Sequence, residues 1–118
     1  MTAARQAMGR AGEERAERWY RDHGYEILDR NWRCRAGELD LVVRSPTSHI
    51  VFCEVKARSS DRYGTPFEAV TPVKAARIRR LAAAWLADHR DTVGFASELR
   101  FDVAAVRGFA IEVREGIF

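Results

Sequence analysis

The chain has little cysteine, proline or histidine and almost no lysine, and each shortage excludes a class of explanation. Two cysteines, Cys34 and Cys53, permit at most one disulfide, so a disulfide-stapled scaffold is excluded and both are expected as reduced packing thiols. The three histidines, His23, His49 and His89, lack the paired spacing of a zinc site. No Gly-rich phosphate loop, dinucleotide fingerprint, Ser-His-Asp or Cys-His arrangement is supported, so nucleotide cofactors and covalent catalysis drop out. The longest apolar run, Leu81 to Ala87, is seven residues, against the roughly 20 that span a bilayer, so no membrane partner is expected. Met1 to Arg10 carries Arg5 and Arg10 with no apolar stretch beside them, unlike a secretory leader, and the cytoplasm is the expected compartment.

What remains is a chain of 118 residues, 47% hydrophobic and 31% charged, enough for one core with a covered surface, and a single domain over residues 1–118 is expected. Of 20 cations only Lys56 and Lys74 are lysines. The arginine fork that supplies the rest donates bidentate hydrogen bonds to phosphate.

The pattern along the chain alternates helices and strands, an α/β layer architecture. Helix formers run from Ala3 to His23, with Met8, Gly12, Ala16, Trp19, Tyr20 and His23 on one stripe and Gly24 as the stop. Tyr25 to Trp32 reads as a strand, Glu38 to Arg44 as a second, and His49 to Ala57 as a third after the turn Ser45-Pro46-Thr47-Ser48, together an antiparallel meander. Ser59 to Val70, with Gly64 and Pro66, reads as a loop. Thr71 is the expected N-cap of a second helix, with Pro72 at its first position, Ile78, Leu81, Ala82, Trp85 and Leu86 buried, and an end near His89. Glu98 to Val106 reads as a strand and Phe109 to Val113 as a short edge strand, giving the order αβββαβ with a final β.

Side chains two apart on a strand share a face. Glu54 and Lys56 therefore project together while Val51, Cys53 and Val55 line the other side. Glu38 and Asp40 share a face, with Leu39, Leu41 and Val43 expected on the opposite one. If these strands are neighbours, Asp40 and Glu54 approach each other. Two such carboxylates form the hard-oxygen site that Mg²⁺ or Mn²⁺ prefers, and Lys56 beside them can orient water or stabilise charge on a phosphoryl transition state. Helix geometry adds Glu13, on the flank of the buried stripe, rather than Glu14, which points away. The competing reading makes Glu54 and Lys56 a surface ion pair, Glu38 and Asp40 the polar side of an exposed sheet, and Glu13 a solvated helix charge.

Gly12-Glu13, Ala16, Trp19-Tyr20, Gly24-Tyr25-Glu26-Ile27-Leu28, Arg30-Asn31, Gly37-Glu38-Leu39-Asp40-Leu41 and Phe52-Cys53-Glu54-Val55-Lys56 together resemble the YraN-like family. The match continues through Tyr63-Gly64-Thr65-Pro66, Ala69-Val70, Lys74 and Arg100-Phe101-Asp102-Val103. That family is similar to the PD-(D/E)xK nucleases, particularly archaeal-type Holliday junction resolvases. The resemblance implies a restriction-endonuclease-like αβββαβ core, a mixed sheet flanked by helices. It implies Asp40 as the first strand acid, Glu54 and Lys56 as the E-x-K pair, and Glu13 as the helical acid. Glu13, Asp40 and Glu54 are then the metal ligands, Asp40, Glu54 and Lys56 the catalytic set, and Glu38 stands behind them. Leu39 stands where the superfamily name has proline. The implied activity is metal-dependent hydrolysis of DNA phosphodiesters, branched DNA included, by an enzyme that acts as a homodimer. The other class left open is a non-catalytic nucleic-acid-binding or protein-interaction adaptor that retains the nuclease fold.

Candidate nucleic-acid contacts are Arg30, Arg33 and Arg35 beside Trp32, Arg58 two residues beyond Lys56, and Lys74 near the start of the second helix. Trp32 has two readings, a stacking platform or a core residue, and Lys74 either reaches the cleft or snorkels from a packed stem. Glu68 and Asp102 read as structural, Asp102 as a hydrogen-bond acceptor from nearby backbone or an arginine.

Overall fold

The three central strands of the sheet carry buried apolar residues on both faces, which requires cover on both sides, and the two amphipathic helices supply it. In the computed structural model, which describes residues 3–59, 67, 71–94 and 98–117, the elements are α1 (Ala3–Asp22), β1 (Glu26–Cys34), β2 (Gly37–Arg44), β3 (Ile50–Ala57), α2 (Pro72–Asp88), α3 (Arg90–Val93), β4 (Leu99–Arg107) and β5 (Ala110–Arg114). The loop read over 59–70, including Tyr63, Gly64, Pro66 and Glu68, lies outside the described residues apart from Ser59 and Phe67. One mixed sheet has the order β1-β2-β3-β4-β5, antiparallel except where β4 runs parallel to β3. That parallel pair is the reason a helix intervenes, since parallel neighbours need a crossover. The expected αβββαβ order with a final strand is the order found.

Three features differ from the sequence reading. β1 continues to Cys34, so Arg30 and Arg33 sit on a strand and only the residues between Cys34 and Gly37 turn. A short helix, α3, follows α2; it buries Val93 and presents that residue's carbonyl to the Arg44 guanidinium. On α1 the buried residues are Gly12, Ala16 and Tyr20, whereas Met8, toward its start, and His23, just past its end, are exposed.

Two apolar layers sandwich the sheet. On one face Leu39, Val42, Ile50 and Phe52 meet Ile78, Leu81, Ala82 and Trp85 of α2. On the other Leu41, Val43, Val51, Cys53 and Ala104 meet Ala16 and Tyr20 of α1. Thr71 caps α2 as expected, accepting the Lys74 N–H at 3.2 Å. Both long helices end in the same device: a histidine stacks on the tryptophan four residues earlier and bonds its carbonyl through Nδ1 at 2.7 Å, His23 on Trp19 and His89 on Trp85.

Asp102 is fully buried yet satisfied. It accepts the Tyr20 hydroxyl at 2.7 Å, Arg100 Nε and Nη2 at 2.9 Å each, and the Gly116 N–H at 3.1 Å. The arginine and backbone partners read from sequence are both present, and α1, β4 and the chain's last turn are tied together through one carboxylate. Burial, then the neighbouring Cys53 and Asp102, push the Tyr20 hydroxyl strongly upward, so it remains a donor.

Gly12 sets how close α1 lies to β3. A Cβ there would stand 2.7 Å from the Ala57 Cβ, on two regular elements that cannot shift cheaply. Gly12→Ala is therefore expected to cost about 1–3 kcal/mol from overpacking, more than its helix-propensity gain. Gly9→Ala, where nothing lies within 4 Å, should instead stabilise by about 0.5–1 kcal/mol. Urea unfolding of the two variants checks the opposite signs.

Candidate active site

The β2–β3 ladder runs from Arg44 opposite Ile50 to Leu41 opposite Cys53 and stops there. Asp40 then fills the ladder's place with its side chain, Oδ2 accepting the Val55 N–H at 2.8 Å. β1 is irregular in step: Asn31 has φ 51°, between Arg30 opposite Leu41 and Trp32 opposite Leu39, with the register kept across it. The strict alternation expected for β2 consequently fails. Leu39 packs on the α2 face while Leu41 and Val43 pack on the α1 face, because the strand twists over at Asp40. On β3 the alternation holds, with Val51, Cys53 and Val55 packed toward α1.

Glu13 and Glu54 each approach Asp40 at this fork, but they line different cavities. Glu13 arrives from α1, next to Gly12; its Oε2 is buried without a hydrogen-bond partner, while the Asn31 side chain bonds the carboxylate. Burial raises its pKa most, followed by the charges of Asp40 and Glu38. Burial likewise raises Asp40, opposed by the Val55 N–H and reinforced by Glu54 and Glu38, to about 6. Glu54 and Lys56 form an ion pair with Nζ 3.0 Å from Oε1, at 20% and 28% side-chain exposure, so they are neither a solvated surface pair nor fully enclosed. Glu38 is held by Arg33, Nε to Oε2 at 2.8 Å.

Two cavities flank the group. One, about 410 Å³, lies between β2, β3 and α2 and is lined by Glu38, Asp40, Glu54, Lys56 and Arg77 above Leu39 and Ile78. The other, about 530 Å³, lies against the first half of α1 and is lined by Arg5, Glu13, Asp40, Lys56 and Arg58. Asp40, Val55 and Lys56 line both. Among the described residues no three acidic, imidazole or thiol side chains stand close enough to enclose an ion as they are. Oxygen donors, an unpartnered buried oxygen and mutual carboxylate repulsion nonetheless match the needs of a hard divalent cation.

The candidate basic residues divide. Arg30 is bound to Glu17, Nη2 to Oε1 at 2.7 Å, and Arg33 to Glu38. Arg35 is exposed in the β1–β2 turn. Arg58 lines the second cavity, its N–H continuing the β3–β4 pairing through the Val106 carbonyl at 2.9 Å. Lys74 is half-buried, and Arg77, one helical turn on, is the α2 cation that lines the first cavity. Trp32 is half-buried against the α2-face core with its ring edge-on to His89, which favours the core reading.

Sequence reasoning missed two residues. Asn31 carried a signal, since asparagine tolerates the left-handed conformation and is otherwise out of place in a strand. Arg77 carried none beyond its neighbour Ile78 on the buried stripe.

Comparison with known proteins places matches along nearly the whole chain. A family model described as uncharacterised protein family UPF0102 matches residues 12–106. A UPF0102 protein of Frankia casuarinae is 59% identical over 103 residues, 87% of this chain and 84% of the relative. One of Beutenbergia cavernae is 53% identical over 103 residues, with coverage of 87% and 84%. One of Parafrankia sp. is 48% identical over 118 residues, with coverage of 96% and 97%.

Because Asp40 rises from 3.8 to about 6 on folding, the folded protein binds its proton more tightly than the unfolded chain does. Stability should thus fall as pH rises between those two values, and the cost persists above them. Asp40→Asn can still accept the Val55 N–H and should remove that component of the slope, gaining about 1–3 kcal/mol at pH 8. Urea unfolding of both proteins from pH 4 to pH 8 checks it.

Proposed function

We infer that this chain, which belongs to the uncharacterised protein family UPF0102, is a metal-dependent endonuclease that hydrolyses DNA phosphodiesters. The observation that carries the reading is the fork at Asp40, where carboxylates from α1, β2 and β3 crowd around one backbone-anchored acid beside a lysine. Glu13, Asp40 and Glu54 would hold Mg²⁺ or Mn²⁺. Such an ion supplies an activated water and polarises a phosphoryl oxygen.

The protein's own groups do the rest. The Val55 N–H holds Asp40 in one rotamer, so a ligand is oriented before substrate arrives. Lys56, on the same face as Glu54, is the donor for a phosphate oxygen or the orienting group for water; its ion pair keeps the ammonium at the cavity in the free state. Glu38 adds negative potential, tempered by Arg33. A homodimer, which would present two such sites to a branched substrate, belongs to the same reading.

A second reading is a DNA-binding adaptor without turnover. It is favoured by the direct Glu54–Lys56 pair and by the spacing of the acids, which among the described residues encloses no ion.

Labelled duplex, single-stranded and four-way-junction DNA, incubated with Mg²⁺ or Mn²⁺, distinguishes the two. The wild type should cleave at least one substrate, and Asp40→Asn and Lys56→Ala should each slow it by about 100-fold or more. Equal rates in all three proteins would overturn the hydrolytic reading. Calorimetric Mn²⁺ titration should show uptake that is lost in Asp40→Asn and weakens as pH falls through about 6, where Asp40 takes up its proton. DNA binding with no metal uptake favours the adaptor.

A further inference from the structure

The two cavities share a wall of three residues, Asp40, Val55 and Lys56, beside the C-terminal end of β3. Arg77 lines the first on the α2 side, and Arg58, with Arg5, lines the second on the α1 side. We propose that the cavities are two halves of one passage for a single nucleic-acid strand. Arg77 and Arg58 hold the phosphates on either side of the phosphodiester that lies over Asp40 and Lys56. The proposal rests on the nucleic-acid reading above and adds the strand's path across the protein.

Three considerations support it. The first is charge. Glu54 is paired with Lys56 and Glu38 with Arg33, which leaves Glu13 and Asp40 without an ion-pair cation among the described residues. A polyanion meets repulsion there unless cations flank the acids on both sides.

The second is availability. Among the described residues, Arg30, Arg33, Arg44, Arg100 and Arg114 are all engaged by carboxylates. Arg58 and Arg77 have neither a carboxylate nor a side-chain hydrogen-bond partner there, so among those residues binding phosphate breaks no ion pair. A guanidinium fork that lines a cavity matches a phosphate's two free oxygens.

The third is shape. A blind pocket would suit a nucleotide end, whereas cavities of about 410 and 530 Å³ on opposite sides of a shared wall admit a chain that continues in both directions. The two meet at Asp40, where the β2–β3 ladder has ended.

The test uses a fluorescein-labelled single-stranded oligodeoxynucleotide with Ca²⁺ in place of Mg²⁺, its affinity followed by anisotropy across a NaCl series. Arg58→Ala and Arg77→Ala should each reduce the slope of log affinity against log salt by about 0.7, and the double variant by about 1.4, the values for one and two phosphates on a single strand. Each single variant should also weaken binding roughly tenfold at low salt. Arg21→Ala, in the last turn of α1 and outside both cavities, should leave slope and affinity unchanged. An unchanged slope in either Arg58→Ala or Arg77→Ala overturns the two-sided passage, as does a wild type that fails to bind. Cleavage measured on the same proteins separates the two ideas. Cleavage with unchanged slopes leaves the hydrolytic reading standing without the passage; slope losses without cleavage leave the passage standing on an adaptor.

Discussion

A carboxylate doing the work of a strand neighbour is the constraint on which this molecule's chemistry depends. At the end of the β2–β3 ladder the Val55 N–H needs an acceptor, and Asp40 supplies one from its side chain rather than its backbone. A buried N–H left alone would be costly, so the acid is held in place by the same requirement that holds the sheet together. Its position is also uncomfortable, as the rise of its pKa to about 6 records. Binding sites commonly keep strain of this kind, because a cation that relieves it binds more tightly.

The surrounding structure is arranged so that this discomfort is not relaxed away. Gly12 lets α1 lie against Ala57, which brings Glu13 beside the fork instead of into solvent. Asn31 adopts a left-handed conformation opposite Asp40 and bonds Glu13, so β1 and α1 respond to the same break. Farther along α1, the hydroxyl of Tyr20 is locked onto Asp102, which Arg100 and Gly116 also bind. A helix fixed at that end and pressed flat at Gly12 has little freedom to withdraw the acid. The polar network of Asp102 and the acid group at Asp40 thus differ in kind. Every hydrogen-bonding need of the first is met within the chain, whereas the second keeps a buried oxygen of Glu13 without a partner.

Much of this was legible from residues alone, for identifiable reasons. The helices announced themselves by three- and four-residue apolar spacing and by Thr71-Pro72, and β3 by its alternation, which put Glu54 and Lys56 on one face. Family membership followed from motifs spread over the whole chain. Less legible were the positions where period-2 reasoning breaks down: Leu39 and Leu41 fall on opposite faces across Asp40, and β1 shifts register between Ile27 and Asp29 and turns left-handed at Asn31. Such breaks depend on the neighbouring strand and leave little trace in local composition.

The amino-acid order by itself determined which chemical groups are available, an α/β layering, and the spacing that sets an acid and a lysine side by side on β3, because propensity and periodicity are local properties. Which charges stay available was decided only in three dimensions. Arg30 and Arg33 looked equivalent to Arg58 along the chain, but folding sets the first two against Glu17 and Glu38 and leaves Arg58, with Arg77, lining the cavities. Ion pairing reflects separation in space, and residues 13 or more positions apart, such as Glu17 and Arg30, acquire a separation only when the helix has docked on the sheet.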